Sequence, residues 1–426
     1  MFLLLLFSPD KHMESMRSRF CSTLGQVYKI IGSSPLVPVF LSLTYFTRGI
    51  KTGYYTYGII ASGILLGLSL YVVEYIGKKR EEEERPKSLG DISKGFSRPL
   101  SEAVDVLAIL SKYTTLLIIV DVFFNVLFIY FPFLDEIRKS MAVYKILFGL
   151  GSALVGLTLY VFSTFSRKMF LAVSASASIL FVAAVVIGYF LGMNSALSKP
   201  SYSRGNLLPS FFWVTTIAFY TMEFVSGGVK IVGESTHRES AKYVAAGSML
   251  SVSGMYLILL HSAGWIRSNY NSLDILNLIF LKSSKLNTYL RKSTIDKYCI
   301  TTKAMCIFIP VICISLFVTQ FDAFIESFKN LVNAENDNKL WLLSLLMLSI
   351  VFIQVLFNEM IGTFHFYVVL VVIGMTPLLV YHPFICYIFA SRKIKFFTAV
   401  CILAIIFTSA TLVGTIRTLI DILQKN

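Results

Sequence analysis

Glu223 stands near the middle of an apolar run of about 26 residues, in the stretch IAFYTMEFVSGGVKIVGE. A carboxylate in that position can carry a proton, hold a cation or attract a charged ligand. On insertion scales an Asp, Lys or Arg at a bilayer midplane costs roughly 2.5 to 3.5 kcal/mol, so such side chains usually face a polar cavity. Gly227 and Gly228 follow within about one turn and are the residues that most readily let a helix unwind. An unwound turn frees backbone N–H and C=O groups, which is tolerable only where they line a cavity or bind a ligand. Lys230 is too far along a regular helix to pair with Glu223 directly. A second apolar run holds Asp105, Lys112 and Asp121. Asp105 and Lys112 lie two turns apart on one face, and pairing with each other or with neighbours is the plain reading. Asp121 is either a structural cap or a proton site. His261, His365 and His382 read as packing histidines.

The first apolar run has its own interruption. In IIGSSPLVPVF, Gly32, Ser33, Ser34, Pro35 and Pro38 fall close together. Each proline removes a backbone donor and crowds the preceding turn. The two interruptions lie in the first and sixth apolar segments, five segments apart. Corresponding members of two inverted five-helix repeats fall at that interval. The pairing points to a central site between discontinuous helices, with half-helix ends aimed at a charged substrate. Free N–H groups around Gly32 to Ser34 are expected to receive an anionic group. Phe219, Tyr220, Thr221 and Glu223 are expected to meet the rest of the ligand.

These residues need a frame, and composition decides its solvent. Of 426 residues, 56% are hydrophobic and only 15% charged, with a mean hydropathy of +0.72. Soluble domains carry nearer a quarter charged residues. Eleven apolar segments are predicted at about 27–48, 53–76, 104–133, 143–164, 169–192, 209–234, 243–266, 303–326, 340–357, 363–388 and 396–419. Gly, Ser and Thr are interspersed as in packed membrane helices, and the alternation of a β-barrel is missing. The predicted fold is an all-α polytopic bundle: a first repeat over 27–192, a second over 209–388, and an extra helix at 396–419. Residues 1–26 are expected to form a cytoplasmic segment before a single transmembrane domain. Lys and Arg favour a cytoplasmic N-terminus once the long 267–302 connection, which obeys the positive-inside rule least, is set aside. That connection contains LDILNLIFL, too short to span and expected to lie in an extracellular cap. The opening MFLLLLF lacks a charged n-region and a cleavage site, and Met13 offers an alternative start.

Several function classes drop out. The net charge of +14 fits loop cations meeting anionic headgroups better than a nucleic-acid partner. The six cysteines include no CxxC pair, and no metal site or bound cofactor is expected. A Walker loop is absent, which argues against ATP-driven transport. His382 in an apolar segment raises a membrane-bound acyltransferase as the enzyme alternative, without a polar constellation to accompany it. A six-plus-six solute transporter of the major facilitator type is the other alternative.

The chain resembles the amino acid/auxin permease family, within the amino acid–polyamine–organocation transporters, in order from about residue 26 to 420. KIIGSSPLVPVF is similar to the first-helix pattern, with Ser34 in place of its second glycine. KSLGDISKGFSRPLSEAVDVLAIL resembles the loop feeding the third helix, and IIVDVFF supplies that helix's aspartate as Asp121. FSTFSRKMFLAVSASASILF resembles the basic turn between the fourth and fifth helices, and LPSFFWVTTIAFYTMEF the entry to the sixth. LILLHSAGWIRSNYNSLDILNLI is similar to the seventh-helix end and cap. PVICISLFVTQFDAFIESF resembles the eighth helix, placing Ser315 where sodium-coupled relatives carry a hydroxyl ligand. The resemblance implies a LeuT-like five-plus-five inverted repeat with one extra helix, as a divergent member. It also implies secondary transport of a small amino acid, no enzymatic activity, and a plasma or vacuolar/lysosomal-type membrane. For coupling, Glu223 with Asp121 in reserve implies co-transported protons. Ser315 and Thr319, with carbonyls freed near Ile31 and Gly32, would suit sodium instead.

Overall fold

The computed structural model describes residues 11–43, 52–78, 88–93, 98–130, 167–190, 207–233, 241–262, 292–332 and 395–425, with 346 and 349 besides. The predicted segments at 143–164 and 363–388, the 340–357 segment apart from those two residues, His365, His382 and the LDILNLIFL cap lie outside them. The described elements are α1 (Lys11–Ser33), α2 (Leu36–Leu43), α3 (Thr52–Lys78), α4 (Leu89–Ser93), α5 (Arg98–Tyr130) and α6 (Arg167–Phe190). They continue with α7 (Leu207–Thr221), α8 (Val225–Gly233), α9 (Ala241–Ser262), α10 (Lys292–Val332) and α11 (Lys395–Lys425). No strand occurs among the described residues.

Five of these helices are long and apolar enough to cross a membrane: 54–71, 98–123, 167–187, 242–262 and 307–329. They are the second, third, fifth, seventh and eighth predicted segments. The first and sixth appear as pairs of half-helices, α1–α2 and α7–α8, so neither is one unbroken span. Two boundaries differ from expectation. α1 begins at Lys11, so residues 11–26 continue the first span as helix. α10 begins at Lys292 and takes in the last residues of the 267–302 connection.

α10 packs along α6 and α5, α7 packs between α3 and α11, and α9 lies on α3 and α1. Lipid tails are as apolar as leucine, so close backbone approach and interhelical hydrogen bonds hold such a bundle. Gly32 shows the first: a Cβ there would collide with the Leu171 carbonyl oxygen of α6. Nearby, the Tyr28 hydroxyl is hydrogen-bonded to that of Ser176, again joining α1 to α6. The eleventh helix is joined to the sixth span by the Thr216–Thr415 hydroxyl pair at 2.6 Å and by aromatic contacts of Phe407 with Phe211 and Phe212. Outward, large apolar side chains such as Leu403, Ile406 and Val413 are exposed, as a lipid-facing surface requires.

The charged loop after α3 ends in a capping arrangement. Ser88 Oγ accepts from the Asp91 backbone N–H, and Asp91 Oδ2 accepts from the Ser88 N–H, both at 3.2 Å. This reciprocal pair starts α4. Ser88 Oγ also donates to Asp105 Oδ1 at 3.1 Å, and Ser101 Oγ donates to the Gly90 carbonyl at 2.8 Å. Asp105 therefore anchors α4 on α5.

Candidate functional site

The interruption of the first span falls at Ser34 and Pro35. Pro35 has no N–H to continue the ladder. The end of α1 turns back on itself: the Ser34 N–H donates to the Ile31 carbonyl at 3.2 Å and Ser33 Oγ donates to that of Ile30 at 2.8 Å. The Ser33 carbonyl is taken by Gln320 Nε2 of α10 at 2.5 Å. This corrects the expectation that N–H groups of Gly32 to Ser34 await an anion. Those residues end a helix, where carbonyls and partial negative charge accumulate. The donors ahead of the next ladder belong to Leu36 and Val37, because the α2 ladder opens with the Val39 N–H on the Pro35 carbonyl at 3.1 Å. Pro38 lies within the first turn of α2 and does not break it, because proline is tolerated where the N–H has no helical partner.

The interruption of the sixth span falls at Met222 to Phe224. The Met222 N–H donates to the Ala218 carbonyl at 3.0 Å, the Glu223 N–H tightens onto Tyr220 at 3.2 Å, and the new ladder opens with Gly228 on Phe224 at 2.9 Å. Gly227 and Gly228 were the expected breakers, and both lie inside α8 instead. Their role is proximity. A Cβ on Gly227 would lie 2.5 Å from Ser33 Oγ, and one on Gly228 would lie 2.8 Å from Leu70 Cδ1. Gly227 thus lets the second half of the sixth span rest on the end of α1, and Gly228 lets it rest on α3.

Glu223 does not stand alone. Its Oε2 accepts from Lys112 Nζ of α5 at 2.9 Å, with both side chains almost fully buried. Of the two alternatives for Asp105 and Lys112, pairing with each other is corrected here, and each is engaged by a neighbour instead. Seven residues are about 10 Å of helical rise, beyond direct contact for these two, and Asp105 is engaged by Ser88. The neighbouring turn of α5 extends the contact. The Tyr220 hydroxyl is hydrogen-bonded to Thr114 and Thr115, each at 3.1 Å. Thr114 and Thr115 in turn donate to the Ser111 carbonyl. α5 therefore meets the end of α7 with an ammonium and two hydroxyls.

The remaining predicted residues are buried but distribute themselves. Phe219, Tyr220 and Thr221 close α7, and Thr221 Oγ1 donates back to Ile217 at 2.7 Å. Asp121 is buried on α5, nine residues and about 13 Å of rise beyond Lys112. Ser315 and Thr319 are buried on α10 shortly before Gln320, and Thr319 Oγ1 donates to the Leu316 carbonyl at 3.0 Å. Sequence reasoning missed Lys112 and Gln320 as members of the site. Lys112 had a readable signal. Counted from the inner ends of their segments, Lys112 and Glu223 lie about 12 and 16 Å deep, close enough in depth to pair. Gln320, a neutral amide in an apolar helix, had none.

Solved structures superpose on this chain over most of its length. MhsT in complex with L-phenylalanine superposes with a TM-score of 0.58 at 12% identity, covering 94% of this chain and 98% of that one. A point mutant of the Eremococcus coleocola manganese transporter superposes with a TM-score of 0.61 at 12% identity, covering 97% of this chain and 89% of that one. The chain has a LeuT-like fold. The same transporter in complex with an aromatic bis-isothiourea substituted compound gives 0.60 at 12% identity, covering 96% and 88%. No protein-family profile matches the chain, and no curated protein matches it by sequence. The LeuT-like arrangement replaces the six-plus-six alternative. The neighbours differ in what their names say they bind or carry, and the likeness in fold does not extend to a ligand for this chain.

Proposed function

We propose that this protein is a secondary active transporter that moves small amino acids by alternating access, coupled to protons, in the manner of the amino acid/auxin permeases it resembles. One observation carries the reading. The first turn of α8 rests on the end of α1, Gly227 against Ser33, and the break between α7 and α8 holds a buried carboxylate paired with an ammonium. Half-helix ends supply opposite partial charges at one place: carbonyls at the ends of α1 and α7, N–H groups at the starts of α2 and α8. An α-amino acid is itself a short dipole with an ammonium and a carboxylate, and it complements that arrangement.

Proton coupling rests on the Lys112–Glu223 pair. A proton that reaches Glu223 removes the charge that holds Lys112. A buried ammonium without its counter-charge is costly, so the contact between α5 and the α7–α8 break loosens. Loss of the proton restores it. Substrate then binds to a site whose central clasp depends on the proton, which is the linkage a symporter requires. Asp121, on the same helix, is the reserve carrier. The membrane is of plasma or vacuolar/lysosomal type, with the N-terminus cytoplasmic, and no enzymatic step is assigned.

Purified protein in proteoliposomes tests this. Labelled small amino acids should accumulate under an imposed pH gradient. The double variant Lys112→Gln/Glu223→Gln avoids stranding either charge; it should keep counterflow exchange and lose pH-driven accumulation. Accumulation that follows a sodium gradient and ignores pH would sink proton coupling and turn attention to Ser315 and Thr319. Acyl transfer without transport would sink the transporter reading.

A further inference from the structure

The break of the first span carries two polar atoms that the reading above leaves unused. Ser34 Oγ and Gln320 Oε1 are buried, at 2% and 1% residue exposure, and neither has a hydrogen-bond partner among the described residues. Their neighbours are satisfied: Ser33 Oγ, the Ser34 N–H and the Ser33 carbonyl all find partners. The orientation of the Gln320 amide is set by chemistry. A backbone carbonyl can only accept, so the nitrogen must face Ser33, and the oxygen of the same planar group points elsewhere. Most buried polar side-chain atoms have a partner, and an exception at a helix break calls for an explanation.

We infer that Gln320 Oε1 and Ser34 Oγ recognise the side chain of a neutral, hydrogen-bond-donating amino acid, one bearing an amide or a hydroxyl. The inference rests on the amino-acid reading given above. Gln320 Oε1 is an acceptor, and it borders the partially negative end of α1, where a donor is favoured. Neither atom carries formal charge, so neither offsets the desolvation of a cationic side chain. An aliphatic side chain leaves both atoms unpaired, and a site built to bond a polar group rejects analogues that lack it far more strongly than an apolar pocket rejects an extra methylene. Gln320 thus has two roles: its nitrogen braces the break, and its oxygen selects.

The experiment is competition in proteoliposomes, with uptake of labelled L-glutamine challenged by unlabelled L-serine, L-asparagine, L-leucine and L-lysine. Serine and asparagine should compete at concentrations roughly tenfold lower than leucine or lysine, the scale of one net hydrogen bond or two. Gln320→Leu and Ser34→Ala should each shrink that preference several-fold. Ser34→Ala leaves the Gln320–Ser33 brace in place, so it answers even if Gln320→Leu does not fold. An equal loss for every amino acid would assign these atoms to the shared α-ammonium or to the fold, and overturns the inference. So does a preference unchanged by either variant, or a Ser34→Ala effect that appears only as lost sodium dependence. A wild-type protein that takes up none of these amino acids overturns the amino-acid reading itself, and this inference falls with it.

Discussion

An ammonium and a carboxylate 2.9 Å apart, both nearly without exposure, make Lys112 and Glu223 the most consequential pair of side chains described in this protein. Removing one member of a buried pair strands the other, at about 3 to 5 kcal/mol, whereas replacing both with apolar residues is often neutral. Lys112→Met and Glu223→Leu should therefore each lower the thermal midpoint in detergent, while the double variant recovers most of the loss. Equal destabilisation by all three would mean that the pair contributes packing rather than charge. At the same scale, Tyr220→Phe removes the hydroxyl that Thr114 and Thr115 share. It should cost about 1 kcal/mol of stability. Measured transport should fall further than that figure suggests if the contact between α5 and α7 moves during the cycle.

Among elements, the half-helices depend on glycines for contact rather than for unwinding. α8 reaches Ser33 because Gly227 has no side chain, and α1 reaches the α6 backbone because Gly32 has none. At Gly32 the obstacle is a carbonyl oxygen of a packed helix, which cannot swing aside; at Gly227 it is a serine side chain, which can shift in part. Gly32→Val should therefore destabilise more than Gly227→Ala, with overpacking costs of about 1 to 3 kcal/mol and the upper end at Gly32. Thermal unfolding of the two purified variants orders them. The reverse order would mean that α1 and α6 part more easily than their contact suggests. The glycines were legible as a mark of something unusual in the sixth span. Their sequence could not separate a turn that unwinds from a face that packs, because a missing Cβ permits both.

For the whole molecule, the eleven spans expected from the sequence put Lys11 and Lys425 on opposite sides of the membrane. The balance of basic residues leads us to expect the first of them in the cytoplasm. Epitopes placed beside each should show opposite accessibility in intact cells. Both epitopes accessible from one side would require an even number of spans. The eleventh helix is bound to α7, one half of a broken span, through Thr216, Thr415 and the Phe407 cluster. A Cβ on Gly414 would lie 2.6 Å from Phe212 Cβ. Gly414→Leu should therefore push α11 off α7 and slow transport while leaving the Lys112–Glu223 pair assembled, a combination read by uptake rate beside thermal stability.

Composition and segment length alone established a helical membrane protein, because roughly 30 Å of hydrocarbon admits no other reading of repeated long apolar runs without alternation. The interruptions of the first and sixth spans were legible for a similar reason: proline, paired glycines and a central carboxylate each carry a cost that a plain span would not bear. Tertiary structure decided everything that depends on what lies opposite. It put Lys112 against Glu223, moved the second break to Met222–Phe224, and gave the freed Ser33 carbonyl to Gln320. It also showed the end of α1 as acceptors rather than donors. Partners of that kind lie 111 and 287 residues apart in the chain. Periodicity reports which face of a helix is apolar; it holds no information about which distant residue fills the space beside it.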